Sequence, residues 1–459
     1  MAGEVAPVST RLRLPHPVVL LGGAVAVAAL LTFVLPAGQF ERRDDAATGR
    51  RVVVAGTYHS TESSPVGPFA AAVAIPRGFI AAAEVIGLVL LVGGAWVVVD
   101  RLGTLPAVVA ALVRRFAGRG LWVIPLVSLF FGLMGALENM QEEIIPLVPA
   151  LMALGAGIGV DAVSVVAMSA GAAMVGSAFG PTNPFQAGIA LKLAQLPPLG
   201  RGGLRLLMFI AGLALWIGLT LRHAVKTRST AVPAAADGMA QGAAPPFDGR
   251  HMLILAIVLA PMAAYVYGAL RLDWGLNELA GGFLVAGVVA GLVGGLGLGG
   301  TIAVYYEGMQ SVLPAAFMVG VARSISLVLE DGHVVDTILN ALVTMLAQMP
   351  ATLSGFLQIA AHSLIHVAVP SVSGQAVLTM PLFVPMADLL GVSRQVPVLA
   401  FQTGAGLTEL LTPTNGALMA VLLAAGVSFE RWIRFVIGAA LLCVLIGVAS
   451  IAAAALWHL

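Results

Sequence analysis

The stretch from Pro370 to Gly416 is mostly apolar, yet polar groups gather at both its ends. Ser371, Ser373 and Gln375 stand at the front, and Thr408, Glu409, Thr412, Thr414 and Asn415 at the back. Pro413, Gly416 and the step from Ser373 to Gly374 interrupt helix where a spanning helix would be continuous. Inside hydrocarbon every backbone polar group needs a partner, so irregular backbone survives only when buried in protein or lining a wet cavity. The stretch therefore predicts a re-entrant hairpin over 370–391 and a broken helix over 393–425.

The same pattern occurs earlier in the chain. Pro181, Thr182 and Asn183 match Pro413, Thr414 and Asn415 at an offset of 232 residues (413 − 181). Without gaps, that offset also places Pro149 on Pro381, Val166 on Val398, and Gly159-Val160 on Gly391-Val392. A second hairpin is thus predicted over 138–159 and a second broken helix over 161–192. A long internal repeat decides architecture ahead of any single motif.

Composition excludes a soluble fold. The 459 residues are 59% hydrophobic and 10% charged, with a mean hydropathy of +1.00. Soluble domains carry about 25% charged residues, and no soluble core could hide this much apolar sequence. The fold class is an all-α polytopic membrane protein with two structural repeats and about 11 transmembrane helices. A formal net charge of +1 offers nothing to nucleic acid, and the single Cys443 excludes an intrachain disulfide framework. The first apolar run, from Pro17, is long enough to span and does not read as a cleaved leader.

Read in order, residues 1–222 form the first repeat. A span over 17–36 is followed by a polar loop over 37–77 and a span over 78–99. A short interfacial helix follows from Thr104. Residues 223–250 are rich in Ala, Pro, Gly and Thr and read as a cytoplasmic linker. Residues 251–459 hold a linking helix and the second repeat, with another short interfacial helix within 331–348. Simple counting of crossings makes the two halves parallel, whereas transporters with such hairpins are usually inverted, and an inverted repeat is the expectation.

Several side chains could carry chemistry. Glu142 and Glu143 in the first hairpin, and Glu409 in the second broken helix, are acids at membrane depth, where ionisable groups are rare and tend to be functional. The two Pro-Thr-Asn sites offer side-chain oxygens beside freed backbone groups. Carbonyls with hydroxyls suit Na⁺, and helix N-termini suit an anion. His362 and His366 lie one turn apart without a third ligand, so no metal site is expected; core hydrogen bonding is their main reading, with a proton relay or substrate contact as the alternative. Arg323 has Glu330 and Asp331 in reach for an ion pair. The run Gly295–Gly300 matches a dinucleotide fingerprint, but no strand precedes it, and close helix packing explains it better.

At LPAGQF (Leu35–Phe40), QEEIIPLVP (Gln141–Pro149), PTNPFQAGIA (Pro181–Ala190), VARSISLVLEDG (Val321–Gly332), PSVSGQAVLTMP (Pro370–Pro381) and LTPTNG (Leu411–Gly416), the chain resembles the YfcC family. That family stands within the C4-dicarboxylate anaerobic carrier group and is related to the AbgT transporters. The resemblance covers nearly the whole chain. It implies a bacterial inner-membrane secondary carrier, with a dimerising scaffold and a transport domain of hairpins and broken helices moving as an elevator. By analogy Gln141, Glu142, Glu143, Thr182, Asn183, Ser371, Ser373, Gln375, Thr414 and Asn415 would surround substrate and coupling ion. The family pattern has an Asp near Ala405 and an Asn near Glu409, so the acid has moved in this chain.

The resulting expectation is an ion-coupled secondary active transporter, driven by Na⁺ or H⁺, for a small carboxylate or amino acid, working as a homodimer in the bilayer. No cofactor and no nucleic-acid partner is expected. The alternative within transport is an exchanger of basic amino acids, with Glu142, Glu143 and Glu409 as counter-charges. A membrane enzyme lacks a nucleophile–base pair or metal set here, and a channel would lack the paired hairpins.

Overall fold

The computed structural model describes residues 17–46, 49–115, 120–181, 183–197, 202–228, 247–272 and 274–456. The first helix, α1 (Pro17–Val34), leads into four short strands: β1 (Gly38–Gln39), β2 (Arg42–Asp45), β3 (Arg50–Val53) and β4 (His59–Ser60). β1 pairs with β4 and β2 with β3, both antiparallel. The polar loop expected over 37–77 is therefore two ribbons followed by the start of a helix. The register sets Asp44 opposite Arg51 and Asp45 opposite Arg50, and opposite charges facing across strands stabilise such a pair.

α2 (Pro68–Ala81), α3 (Ala83–Arg101) and the short α4 (Thr104–Arg115) follow, then α5 (Gly120–Glu138). A left-handed residue, Asn139 (φ 62°), ends α5. A 3₁₀ stretch (Glu142–Leu147) then leads into α6 (Val148–Ile158). α7 (Ala162–Phe179) stops at a break over 180–183 and resumes as α8 (184–193), before α9 (Gly202–Thr227). Most of the linker predicted over 223–250 lies outside the described residues. Beyond it stand α10 (Gly249–Arg271), α11 (Leu276–Val293), α12 (Gly297–Asp331), α13 (Val335–Ala347), α14 (Ala351–Ala368), α15 (Val372–Leu389) and α16 (Gln395–Thr408). After a second break over 409–415 come α17 (Gly416–Ala424) and α18 (Phe429–Leu456). Among the described residues 9 helices are long and apolar enough to cross a membrane: α3, α5, α7, α9, α11, α12, α14, α15 and α18.

Residues 370–391 differ from expectation. They are one helix, α15, and the reversal sits ahead of it at Val369–Ser371. The hairpin is made by α14 and α15: His366 meets Gln375, and the His362 ring packs on Phe383 with centroids 4.5 Å apart. The Ser-Gly step that looked like a break is a cap, with Ser371 Oγ accepting from the Gly374 amide at 3.2 Å. Pro381 and Pro385 sit inside the helix, as prolines do in membrane helices whose neighbours satisfy the freed backbone.

Crossing counts gave parallel halves; the packing of α2–α3 against α12, which the 232 offset relates, is antiparallel. Gly78 meets Gly320 and Ser324, whereas Gly93 meets Val312 and Gly94 meets Tyr305. A Cβ on Gly78 would stand 2.4 Å from the Gly320 carbonyl oxygen, so only glycine permits this approach. The ribbon strands are tied to the other half as well. The Phe40 amide donates to Asp336 on α13 at 3.0 Å, and Arg42 donates to both oxygens of the same carboxylate at 3.0 Å.

Candidate functional site

The second break starts where α16 runs out of helix at Thr408 and ends where Asn415 caps α17. Asn415 Oδ1 accepts from the Leu418 amide at 3.1 Å, which meets one of the orphan donors that every helix start leaves. That bond fixes the amide, so Nδ2 faces back into the break. There it donates to the carboxylate of Glu409, to the Glu409 carbonyl at 3.2 Å and to Gln141 Oε1 at 3.3 Å. Trp432 on α18 closes the next carbonyl, donating to Leu410 O at 2.8 Å. The hydroxyls of Thr412 and Thr414 stand 2.7 Å apart. Glu409 Oε1 is 2.9 Å from Nε2 of the fully buried His366. Nδ1 of that ring is 2.7 Å from Gln375 Oε1, and Gln375 Nε2 donates to the His362 carbonyl at 2.8 Å.

The first break is built alike. Asn183 Oδ1 accepts from the Phe185 and Gln186 amides at 2.9 Å each, capping α8. Its Nδ2 donates to Ser177 Oγ at 3.0 Å, to Gly135 O at 3.0 Å and to Asn139 Oδ1 at 3.2 Å. The end of α7 is closed from the other half: Gln402 on α16 donates to Ala178 O and Gly180 O, both at 3.3 Å. Thr182, expected beside Asn183, lies outside the described residues.

Between these elements lies a cavity of about 1010 Å³. Of the residues singled out from sequence, Gln141, Glu142, Glu143, Ser371, Ser373, Glu409, Thr414 and Asn415 line it. Asn183 and Gln375 do not; both are fully buried in the hydrogen-bond networks just described. His362 and His366 belong to the network as well, with no group of three metal-ligating side chains among the described residues. Arg323 lines the cavity too, 3.9 Å from Glu330, while Asp331 pairs with Arg77 instead.

Three residues were not found from sequence. Asn139 joins the cavity wall to the first break, and its left-handed backbone is one that Asn tolerates better than most residues. Gln402 closes the end of α7. Arg205, buried in α9, donates to Gln402 Oε1 at 3.0 Å and to Gln395 Oε1 at 2.5 Å. A lone arginine inside the apolar run of α9 was the signal available for it.

Known proteins resemble this chain along most of its length. YfcC of Escherichia coli, which carries the provisional description of a basic amino acid antiporter, is 28% identical over 96% of this chain and 96% of its own. An uncharacterized protein of Haemophilus influenzae is 27% identical over 84% of this chain and 78% of its own. Two solved transporter structures align along the chain. YdaH of Alcanivorax borkumensis is 18% identical with a TM-score of 0.41, covering 96% of this chain and 98% of its own. MtrF of Neisseria gonorrhoeae, described as illuminating a class of antimetabolite efflux pumps, is 16% identical with a TM-score of 0.45, covering 95% and 94%. The profile of the C4-dicarboxylate anaerobic carriers (DcuC) matches residues 14–456. The chain is a multi-pass membrane transporter and belongs to the C4-dicarboxylate anaerobic carrier family.

Proposed function

We propose that the protein is an ion-coupled secondary active transporter of the bacterial inner membrane whose substrate is a small amino acid with a cationic side chain. The observation that carries this reading is the charge on the cavity wall. Seven acids line it, Glu84, Glu138, Glu142, Glu143, Glu330, Asp336 and Glu409, against three arginines, Arg42, Arg50 and Arg323. A substrate with cationic nitrogens and a carboxylate matches such a wall, whose acids outnumber its guanidinium groups. The description attached to YfcC points the same way.

The family's description favours a second reading, a C4-dicarboxylate. Half-helix N-termini are the usual seats for an anionic group in such folds. At α8 the Phe185 and Gln186 amides are already taken by Asn183, which weighs against an anion there, while at α17 Asn415 takes the Leu418 amide and Gly416 and Ala417 line the cavity. The same reading includes an elevator movement of the broken helices with the α14–α15 hairpin, and assembly as a homodimer.

The test is uptake into proteoliposomes of radiolabelled L-lysine, L-arginine, L-aspartate and succinate, with Na⁺ and pH gradients imposed separately. Accumulation of the cationic amino acids with succinate excluded is the expected result. Accumulation of succinate alone would replace this reading by the dicarboxylate one.

A further inference from the structure

The second break holds more than a substrate wall. Two amide groups in it have their orientation set by the backbone. Gln375 Nε2 donates to the His362 carbonyl at 2.8 Å, so Oε1, an acceptor only, faces His366 Nδ1 at 2.7 Å. Nδ1 therefore carries a hydrogen. Likewise Asn415 Oδ1 takes the Leu418 amide, so Nδ2 donates to Glu409 Oε2, and that oxygen is bare. What remains is His366 Nε2 and Glu409 Oε1, 2.9 Å apart. With Nδ1 already protonated, Nε2 of a neutral ring would be a bare acceptor 2.9 Å from a second acceptor, the carboxylate oxygen. Nε2 is buried and has no aligned hydrogen-bond partner among the described residues. A bare carboxylate beside a neutral ring would also leave an uncompensated charge out of water. One more proton between Nε2 and Oε1 removes both faults and makes the pair electrically neutral.

We propose that His366 and Glu409 together hold one exchangeable proton, and that a cationic group of the substrate displaces it into the cavity by taking Glu409 as its counter-charge. The second half rests on the transport reading above. The step balances: a cation enters, a proton leaves Nε2 or Oε1 for water, and the carboxylate pairs with the incoming nitrogen while the ring stays neutral. Substrate and proton then exclude one another at one carboxylate, the requirement for exchange.

The charged and titratable surroundings come from several elements, and the cavity that Glu409 lines also carries Glu84, Glu138, Glu330, Asp336, Arg42, Arg50 and His333. α14 contributes His362, the 3₁₀ stretch ahead of α6 contributes Glu142 and Glu143, and α12 contributes Arg323, which lines the same cavity. α18 keeps Glu430, Arg431 and Arg434 in its first two turns, and Cys443 is buried further along it. Glu142 reaches the same cavity as Glu409 and would share the incoming cation, while His366 is sealed from it.

The decisive experiment is ¹⁵N NMR of the full chain in detergent with labelled histidine, the His366 signals being assigned by His366→Gln. The expected ring carries hydrogen on Nδ1, with an Nε2 shift that moves on Glu409→Gln. A neutral ring with hydrogen on Nε2 and a bare Nδ1 would overturn the proposal. In weakly buffered detergent with a pH dye, adding L-lysine should release close to one proton per molecule bound in wild type. Binding of L-lysine without release would also overturn it. In liposomes, the ratio of L-lysine accumulation with and without an imposed pH gradient should fall to about one in His366→Gln. If wild type transports no member of the uptake panel while the NMR signature holds, the transport reading fails and the proton site stands. If His366→Gln does not fold, the wild-type NMR and proton-release measurements still decide.

Discussion

The two helix breaks share one device and differ in what they place inside it. In each, an asparagine caps the second half-helix through Oδ1 and donates Nδ2 to a residue six positions upstream (183 − 177 and 415 − 409). In each, the same amide reaches the turn at 139–141, Asn139 for the first and Gln141 for the second. The upstream residue is Ser177 in the first break and Glu409 in the second. Around Ser177 the partners are neutral: Asn139, Gln186 and Asn183. Around Glu409 stand an imidazole and the cavity. One backbone solution to breaking a helix in a membrane thus serves twice, once as a closed joint between the halves and once as a titratable wall.

The largest effect should come from moving the charge to the joint. Ser177→Glu would set a carboxylate against Asn139 Oδ1 and Gln186 Oε1, both acceptors. An unpaired charge at such depth costs roughly 3–5 kcal/mol, a large fraction of the roughly 5–15 kcal/mol that holds a typical domain folded. The expected outcome is loss of monodisperse protein on size exclusion. A well-folded Ser177→Glu protein would show that the first break has room for water or a counter-ion, and the contrast would collapse.

Next in size is Glu409→Gln, which keeps shape and removes charge. The protein should still fold, because an amide can meet both His366 and Asn415. Transport of the cationic substrate should fall roughly 100-fold, the rate equivalent of about 3 kcal/mol of lost charge pairing. Uptake rates in proteoliposomes measure it; near-normal rates would move the substrate's counter-charge to Glu142.

How much of this was legible in the chain depends on the kind of signal. The breaks were, because Pro-Thr-Asn inside apolar sequence violates a rule that lipid enforces. Their inner wiring was not. That Gln402 closes the end of α7, or that Gln141 serves the second break from the first half, are contacts across more than 200 residues (402 − 178, 415 − 141) with no local trace. The hairpin over 370–391 was misplaced because a capping serine and a glycine at the start of α15 look like a break when the reversal just before them is unseen. The ribbons over 38–60 left a readable trace: Arg42-Arg43-Asp44-Asp45 faces Arg50-Arg51-Val52-Val53, complementary in charge when folded back.

Of moderate size is the contrast between the two asparagines. Asn183→Ala strands the Phe185 and Gln186 amides at a side chain that is itself fully buried outside the cavity lining, whereas Asn415 lines the cavity and water can replace it. The expected cost in stability is about 2 kcal/mol for Asn183→Ala against about 1 kcal/mol for Asn415→Ala. Thermal melting followed by tryptophan fluorescence ranks them. Transport should show the reverse order, since only Asn415 positions Glu409. Equal melting losses would mean that the first joint is as wet as the second.

The smallest effect sharpens the comparison from the start of α15. By the 232 offset Ser371 and Ser373 occupy the places of Asn139 and Gln141 (371 − 139, 373 − 141). The first-half pair is spent on the two breaks. Of the second pair, Ser371 caps α15, while Ser373 lines the cavity with no side-chain hydrogen bond among the described residues. A half-buried hydroxyl without a protein partner is available to a ligand, and a neutral hydrogen bond contributes roughly 0.5–1.5 kcal/mol. Ser373→Ala should therefore raise the half-saturating substrate concentration by about three- to tenfold and leave melting unchanged. Ser371→Ala should instead cost about 1 kcal/mol of stability through the lost cap, with little change in affinity. If Ser371→Ala weakens affinity and Ser373→Ala does not, the substrate lies against the start of α15 itself.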